Sequence, residues 1–178
     1  MKSMVSLFSI VLVVSILGGC PSGPTPVPDW PFEKDAIRIQ IRADRDLNYH
    51  DDTPHTLLLC FYQLRKTSAF NQLGRTEQGI YKLLECEPFD SSVTTVKRLI
   101  VHPKEETTLM LDRWSGTRHI GIVAGYFELD RNRITRVAHI PVITQEHGIF
   151  KRTKTAYPGH LDVILDLGAQ RIQSVKRR

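Results

Sequence analysis

The sequence lacks an apolar run long enough to cross a membrane. Its most hydrophobic stretch, 5–17 in "MKSMVSLFSIVLVVSILGGC", is broken by Ser6, Ser9 and Ser15, and a spanning helix needs roughly 20 predominantly apolar residues. Local catalytic signatures are missing too. No nucleophile elbow, HExxH, Walker loop or dinucleotide glycine pattern occurs, although each of those chemistries fixes a spacing that a chain displays openly. Lys and Arg are dispersed, and the richest clusters, "FKRTKTAYPGH" and "VKRR", are too short for a nucleic-acid arm and read as solvated faces. Internal repeats and a second domain are absent, as are the helices that a parallel α/β fold places between most of its strands. What is left is one exported or peripheral β-rich body with no motif for catalysis.

The N-terminus carries a processing signal. Lys2, an apolar stretch on the order of 7–15 residues and the small pair Gly18-Gly19 match the secretory pattern. The glycines leave the chain thin enough for a peptidase cleft. "LGGC" resembles the lipobox of bacterial lipoproteins, in which the cysteine sulfur is acylated before cleavage, so Cys20 is expected to carry a diacylglyceryl group and start the mature chain. In lipoproteins an Asp after the cysteine retains the protein in the inner membrane; here Pro21 follows, which favours the outer membrane. The expected layout is a signal over 1–19, a lipidated, Pro-rich tether over 20–34 and one domain over 35–178. Loss of Lys2 lowers the formal charge of +5 by one unit, leaving a moderately basic chain. "PSGPTPVPDWP" should extend by up to about 3.1 Å per residue. Trp30 fits either the membrane interface or the domain edge.

Cysteine is scarce, at three residues. With Cys20 assigned to lipid, Cys60 and Cys86 form an even pair in a compartment that permits disulfides. They are either bridged, a closure that stabilises by roughly 3 kcal/mol, or two buried thiols.

Beyond Ala36 the pattern is mostly period two. "AIRIQIRA" alternates Ile37, Ile39 and Ile41 with Arg38, Gln40 and Arg42, the mark of a strand with one buried and one wet face. "HTLLLCFYQL" is almost continuously apolar and rich in aromatics, as a more covered strand would be. "TSAFNQLG" and "TEQGIYKLLECE" change to helical spacing, with Thr76 as N-cap and Glu77 in the first turn. Strands return in "TTVKRLIV", "TTLMLD", "RHIGIVAGYFEL", "RVAHIPV", "LDVILDL" and "QRIQSV". About eight strands with turns at sandwich-like spacing predict an all-β fold of two packed antiparallel sheets, with a short helical insertion between strands 2 and 3.

Of the seven histidines, His50 and His55 flank Asp51 and Asp52, a spacing that would suit metal ligands on a loop. No further Cys, His or Glu cluster accompanies them, so a hydrated polar loop is the preferred reading and no metal, catalytic residue or small-molecule substrate is expected. His119 and His139 fall in strands, where a satisfied or surface histidine is the ordinary outcome.

The order of several segments is similar to that of one family. "IRADRDLN", a polar loop and "LLLCFYQLRKTSAF" resemble the start of the outer-membrane lipoprotein of bacterial type VI secretion systems, the TssJ or SciN family. Ala43 through Asn48, Tyr62-Gln63-Leu64 and Phe70 carry that likeness. "VHPKEETTLMLDRWSGTRHIGIVAGYFEL" and "LDVILDLGAQRIQ" resemble its later strands. The resemblance departs between Ile140 and Leu161, which is longer than the family pattern, and at Cys60. It implies a transthyretin-like sandwich, lipid-anchored in the outer membrane and facing the periplasm, that docks the periplasmic C-terminal region of TssM and so tethers the TssL–TssM membrane complex. It also implies that the loop between the first two strands is the contact element, here Asn48, Tyr49, His50, Asp51, Asp52 and Thr53. The alternative is a transthyretin-like carrier or ligand-binding lipoprotein, which would need a concave apolar pocket with a few convergent polar groups.

Overall fold

Ten strands and three short helices form in the computed structural model, which describes residues 26–148 and 153–178. Cys20 and the signal lie outside the described residues, as do 149–152. In chain order the elements are β1 (Glu33–Ala43), β2 (Leu57–Leu64), α1 (Ser68–Leu73), α2 (Glu77–Leu84), β3 (Val93–Val101), β4 (Glu106–Arg113), β5 (His119–Ala124), α3 (Arg131–Ile134), β6 (Thr135–His139), β7 (Val142–His147), β8 (Thr153–Pro158), β9 (Leu161–Leu167) and β10 (Ile172–Arg177). One sheet runs β10-β9-β1-β4 and the other β3-β2-β5-β6.

β1 explains the first sheet. Ile37, Ile39 and Ile41 are fully buried, in register with Leu161, Val163 and Leu165 of β9. Arg38, Gln40 and Arg42 take the other face, where Arg38 lies 3.6 Å from Asp162. Burying each isoleucine contributes about 2 kcal/mol, and a one-residue slip would exchange all three with Arg and Gln. That exchange cost fixes the register.

β2 is buried on both faces, and its odd and even residues have different neighbours. On the odd face Gln63 crosses to the first sheet: Nε2 donates to the Asp112 carbonyl (2.7 Å), while Oε1 accepts from the Trp114 N–H and from Thr117 Oγ1, both at 3.0 Å. On the even face α1 and α2 cover the strand. Tyr62 donates its hydroxyl to the Leu83 carbonyl (2.6 Å), and its burial there pushes its pKa up to about 12. Phe70 tilts against Tyr62 with ring centroids 5.9 Å apart. Gly121 of β5 makes this possible, because a Cβ there would stand 2.8 Å from the Phe70 ring. Thr76 caps α2 by accepting from the Gly79 N–H at 3.1 Å. A disulfide joins Cys60 to Cys86, just past α2.

Three expectations need correction. The sheets are not wholly antiparallel, since β1 pairs with β9 in parallel; β9 returns to β1 only after the chain has built the second sheet, and no local pattern encodes strand direction. The strand count is ten rather than about eight, because the stretch left open between Ile140 and Leu161 forms the hairpin β7-β8, separate from both sheets. β5 ends at Ala124 instead of running through "GYFEL".

The start of β1 is clamped to the body. Arg113, 1% exposed, places Nη2 2.7 Å from Glu33 Oε2, and His160 Nε2 lies 2.8 Å from Glu33 Oε1. The hydrogen bond with His160, aided by the Arg113 charge, holds the Glu33 carboxyl below its usual range despite some desolvation. Trp30 packs at the domain edge, with the Arg113 and Arg118 guanidinium carbons 5.9 and 5.8 Å from its ring. Its carbonyl accepts from the Gly116 N–H at 2.8 Å.

The cysteine pair gives a direct test. In the unreduced, denatured chain neither Cys60 nor Cys86 should take up an alkylating agent, as read by mass; two alkylated thiols at these positions would remove the bridge. Cys60→Ala/Cys86→Ala should lower the unfolding free energy by about 3 kcal/mol in urea titration.

Candidate functional site

The chain leaves β1 at Ala43 and reaches β2 through a loop with little freedom. The Asp44 N–H donates to the Leu167 carbonyl (2.9 Å), Leu47 is fully buried, and the Tyr49 N–H donates to the Ala169 carbonyl (2.9 Å). His50 and Thr53 exchange both backbone hydrogen bonds at 3.0 Å, closing a two-residue turn over Asp51 and Asp52. Both aspartates have positive φ, 46° and 57°. Such a turn demands that conformation at both central positions, and Asp tolerates it better than most residues.

Asn48 differs from its expected role. It is 4% exposed with φ +49°, and its amide is used internally: Nδ2 donates to the Thr56 carbonyl (2.9 Å) and Oδ1 accepts from the Phe127 N–H (3.0 Å). Asn48 is therefore the post that holds the loop, and it offers no surface to a partner. The side chains of Tyr49, His50, Asp51, Asp52 and Thr53 are the exposed set.

Phe127, half-exposed, completes the site and was not legible as part of it. The His50 ring stacks on it at 4.4 Å and 14°, and His55 meets it edge-on at 5.0 Å. His55 Nε2 also lies 3.1 Å from the His50 carbonyl and 3.0 Å from Thr53 Oγ1. The two loop histidines thus serve a stacked aromatic platform. Below the platform lies an open cleft of about 470 Å³, lined by Leu58, Tyr81, Leu84, Ile100, Phe127 and Leu129 among others. Tyr81, Ile100 and Phe127 are each more than half exposed. No local signal marks it, since Gly125-Tyr126-Phe127 continues a run that reads as strand.

Four aspartates, 44, 46, 51 and 52, against Arg45 alone give the loop an acidic rim. Among the described residues no group of three or more His, Cys, Asp or Glu is placed to hold a metal ion. His119 and His139 face each other across β5 and β6 with Nδ1 atoms 2.8 Å apart. Burial, then repulsion from His139 and Arg118, holds His119 below its ordinary pKa.

The fold is a β-sandwich, and its 44–56 loop combines exposed aromatic, imidazole and carboxylate groups on a backbone fixed by internal hydrogen bonds. The family model of type VI secretion lipoproteins (VasD, EvfM, TssJ) matches residues 35–165. The chain belongs to that family, whose members are structural components of the secretion machine. Its structure is similar to the lipoprotein TssJ1 from Pseudomonas aeruginosa, at 22% identity and TM-score 0.58, over 84% of this chain and 97% of that one. It is also similar to Serratia marcescens Lip, described as a membrane-bound component of the type VI secretion system, at 16% identity and TM-score 0.54, over 80% and 96%. A third likeness is to a chain of the structure described as T6SS protein TssM C-terminal domain (869–1107) from EAEC, at 12% identity and TM-score 0.56, over 79% and 96%. At these identities the likenesses establish the fold. No curated protein matches the chain.

If Asn48 is the post, Asn48→Ala should cost about 1–2 kcal/mol of unfolding free energy, since it removes the buried amide that satisfies the part-buried Thr56 carbonyl and Phe127 N–H. Hydrogen exchange at the Phe127 amide should accelerate, while exchange in β9 tracks only the global loss.

Proposed function

We propose that this chain is an outer-membrane lipoprotein that faces the periplasm, held by acyl groups on Cys20, and that it docks the periplasmic C-terminal region of TssM through Tyr49–Thr53 and the Phe127 platform. In that position it tethers the TssL–TssM complex to the outer membrane. One observation carries the reading: the tether joins the start of β1 at Glu33, and the loop leaves its end at Ala43. The regular part of β1, from Ile37 to Ala43, spans about 20 Å, and an irregular turn at Asp35 precedes it. On this reading the tether and the docking loop leave one strand at opposite ends.

The loop's chemistry suits the role. Its backbone is already fixed by internal hydrogen bonds, so little ordering entropy is lost on binding. Tyr49 and the His50–Phe127 stack supply the large, rigid contacts that dominate interface energetics. The acidic rim favours a basic partner surface and speeds encounter. Two or more acyl chains make the anchoring stable where one is marginal.

Replacing Tyr49–Thr53 by a Gly/Ser loop should weaken binding to the TssM periplasmic domain by about tenfold or more, roughly 1.4 kcal/mol, with the sandwich still folded by circular dichroism. Unchanged affinity would remove the loop from the site. Cys20→Ser should give a folded protein that leaves the outer-membrane fraction and no longer supports secretion. Unaltered fractionation would sink the anchoring half of the reading.

A further inference from the structure

The tether end of the sandwich carries an exposed face that TssM docking at the other end leaves unused. Phe32 and Trp114 are 51% and 52% exposed and stand edge-to-face, ring centroids 5.9 Å apart. Trp30 lies beside them through the Gly116 N–H that its carbonyl accepts. Arginines surround this aromatic group. Arg118 sits over Trp30, and a Cβ on Gly116 would touch the Arg65 side chain at 2.8 Å. The Arg118 carbonyl accepts from the Ile140 N–H, and Arg177 Nη2 donates to the adjacent His139 carbonyl at 3.0 Å. Phe32, Trp114, Arg65, Arg118 and Arg177 thus form one connected rim, all exposed. Of the nearby acids, Glu33 is paired with Arg113 and His160 and Asp112 accepts from the Asp35 N–H, while Asp29, Asp35 and Asp90 are exposed and set against the three arginines.

We infer that this rim rests on an anionic phospholipid surface, with Phe32 and Trp114 at headgroup level and Arg65, Arg118 and Arg177 against the phosphates. The inference rests on the reading that Cys20 holds the chain at a membrane. Where the chain outside the rim ends identifies the occupant. Only 12 residue steps separate Cys20 from Phe32, at most about 37 Å in a fully extended polyproline tether. A rim kept that close meets the bilayer at millimolar effective concentration, so a weak contact suffices. Aromatic rings beside basic side chains are the pairing that membrane interfaces select, the rings for the headgroup region and the charges for anionic lipid. The other end of β1 bears the opposite sign. With the rim on the surface, the loop at the far end of β1 points away from it.

The processed chain from residue 20, carrying Cys20→Ser so that no lipid is attached, separates this contact from acylation. It should sediment with vesicles of phosphatidylglycerol and phosphatidylethanolamine, and much less with phosphatidylcholine alone. Trp30 and Trp114 are the chain's two tryptophans, so their emission reports on this face directly and should shift to the blue on binding. Arg65→Gln/Arg118→Gln/Arg177→Gln should reduce partitioning on the order of 100-fold, at about fivefold per basic residue. The three Arg→Lys changes should preserve it. Ser115→Glu, at an exposed turn position between Trp114 and Gly116, provides a charge change that spares the core, and it too should weaken binding. Absence of sedimentation with anionic vesicles, equal binding to neutral ones, or indifference to both the Gln and the Glu variants would overturn the inference. Those outcomes leave the anchoring reading standing, because outer-membrane fractionation of the Cys20→Ser chain tests it separately.

Discussion

Hydrogen bonding of β1 on both edges is the constraint that orders the rest of the molecule. β4 pairs with it antiparallel and β9 parallel, so the strand that begins at the tether is the interior strand of its sheet. Both ends are then closed by side chains and backbone from distant segments. At the start, Arg113, His160 and Gly116 hold Glu33 and Trp30; at the end, Asp44 and Leu167 join and Leu47 enters the core. Neither the chain's entry at Trp30 nor the root of the 44–56 loop can move without disturbing this strand.

The second sheet supplies the complementary requirement, a scaffold that keeps the loop's far side in place. β2 manages this through its two-sided burial. Gln63 ties it to the end of β4, and Tyr62 ties it to α2, while Cys60 and Cys86 fasten the end of α2 covalently. The Tyr62-Gln63-Leu64 triplet that marks the family likeness is thus a set of three packing instructions. Phe127 reaches the loop because β5, the other neighbour of β2, stops at Ala124 and releases the chain at Gly125.

What could be read in the sequence follows from whether the physics is local. Ile37, Ile39 and Ile41 announce β1 because a half-buried strand writes its burial every second residue, and Thr76-Glu77 announces α2 because a cap is satisfied within one turn. β7 and β8 wrote no such pattern: every residue of β7 is exposed, and only Ala156 and Pro158 of β8 are not. Without a buried face there was no alternation to read. The parallel pairing of β1 with β9 and the burial of Asn48 were silent for another reason. Both depend on partners far along the chain, Leu161–Leu167 for the first and the Phe127 N–H for the second. A buried Asn looks the same in sequence as an exposed one, and here the loop owes its shape to that residue. His50 and His55 were legible as a pair but not as a platform, because Phe127 sits in a run that reads as strand.

The placement of charge and the placement of ends point to one mechanical consequence. Under the tethering reading, tension between the outer membrane and TssM enters β1 at Glu33 and leaves it at Ala43, along the strand axis. Force in that direction tries to slide β1 between β4 and β9. The hydrogen bonds to β4 lie perpendicular to the strand and those to β9 are slanted but evenly spaced, so sliding loads both ladders at once instead of one bond after another. A strand peeled from one end would give way bond by bond. The same tension pulls Glu33 against Arg113, whose guanidinium is buried and pairs with that carboxylate at 2.7 Å. Breaking that pair strands a buried cation, a cost on the order of 3–5 kcal/mol. The antiparallel edge strand, the parallel neighbour and the buried arginine therefore act on the same displacement, and an interior β1 with its ends at opposite poles is the arrangement that lets them do so.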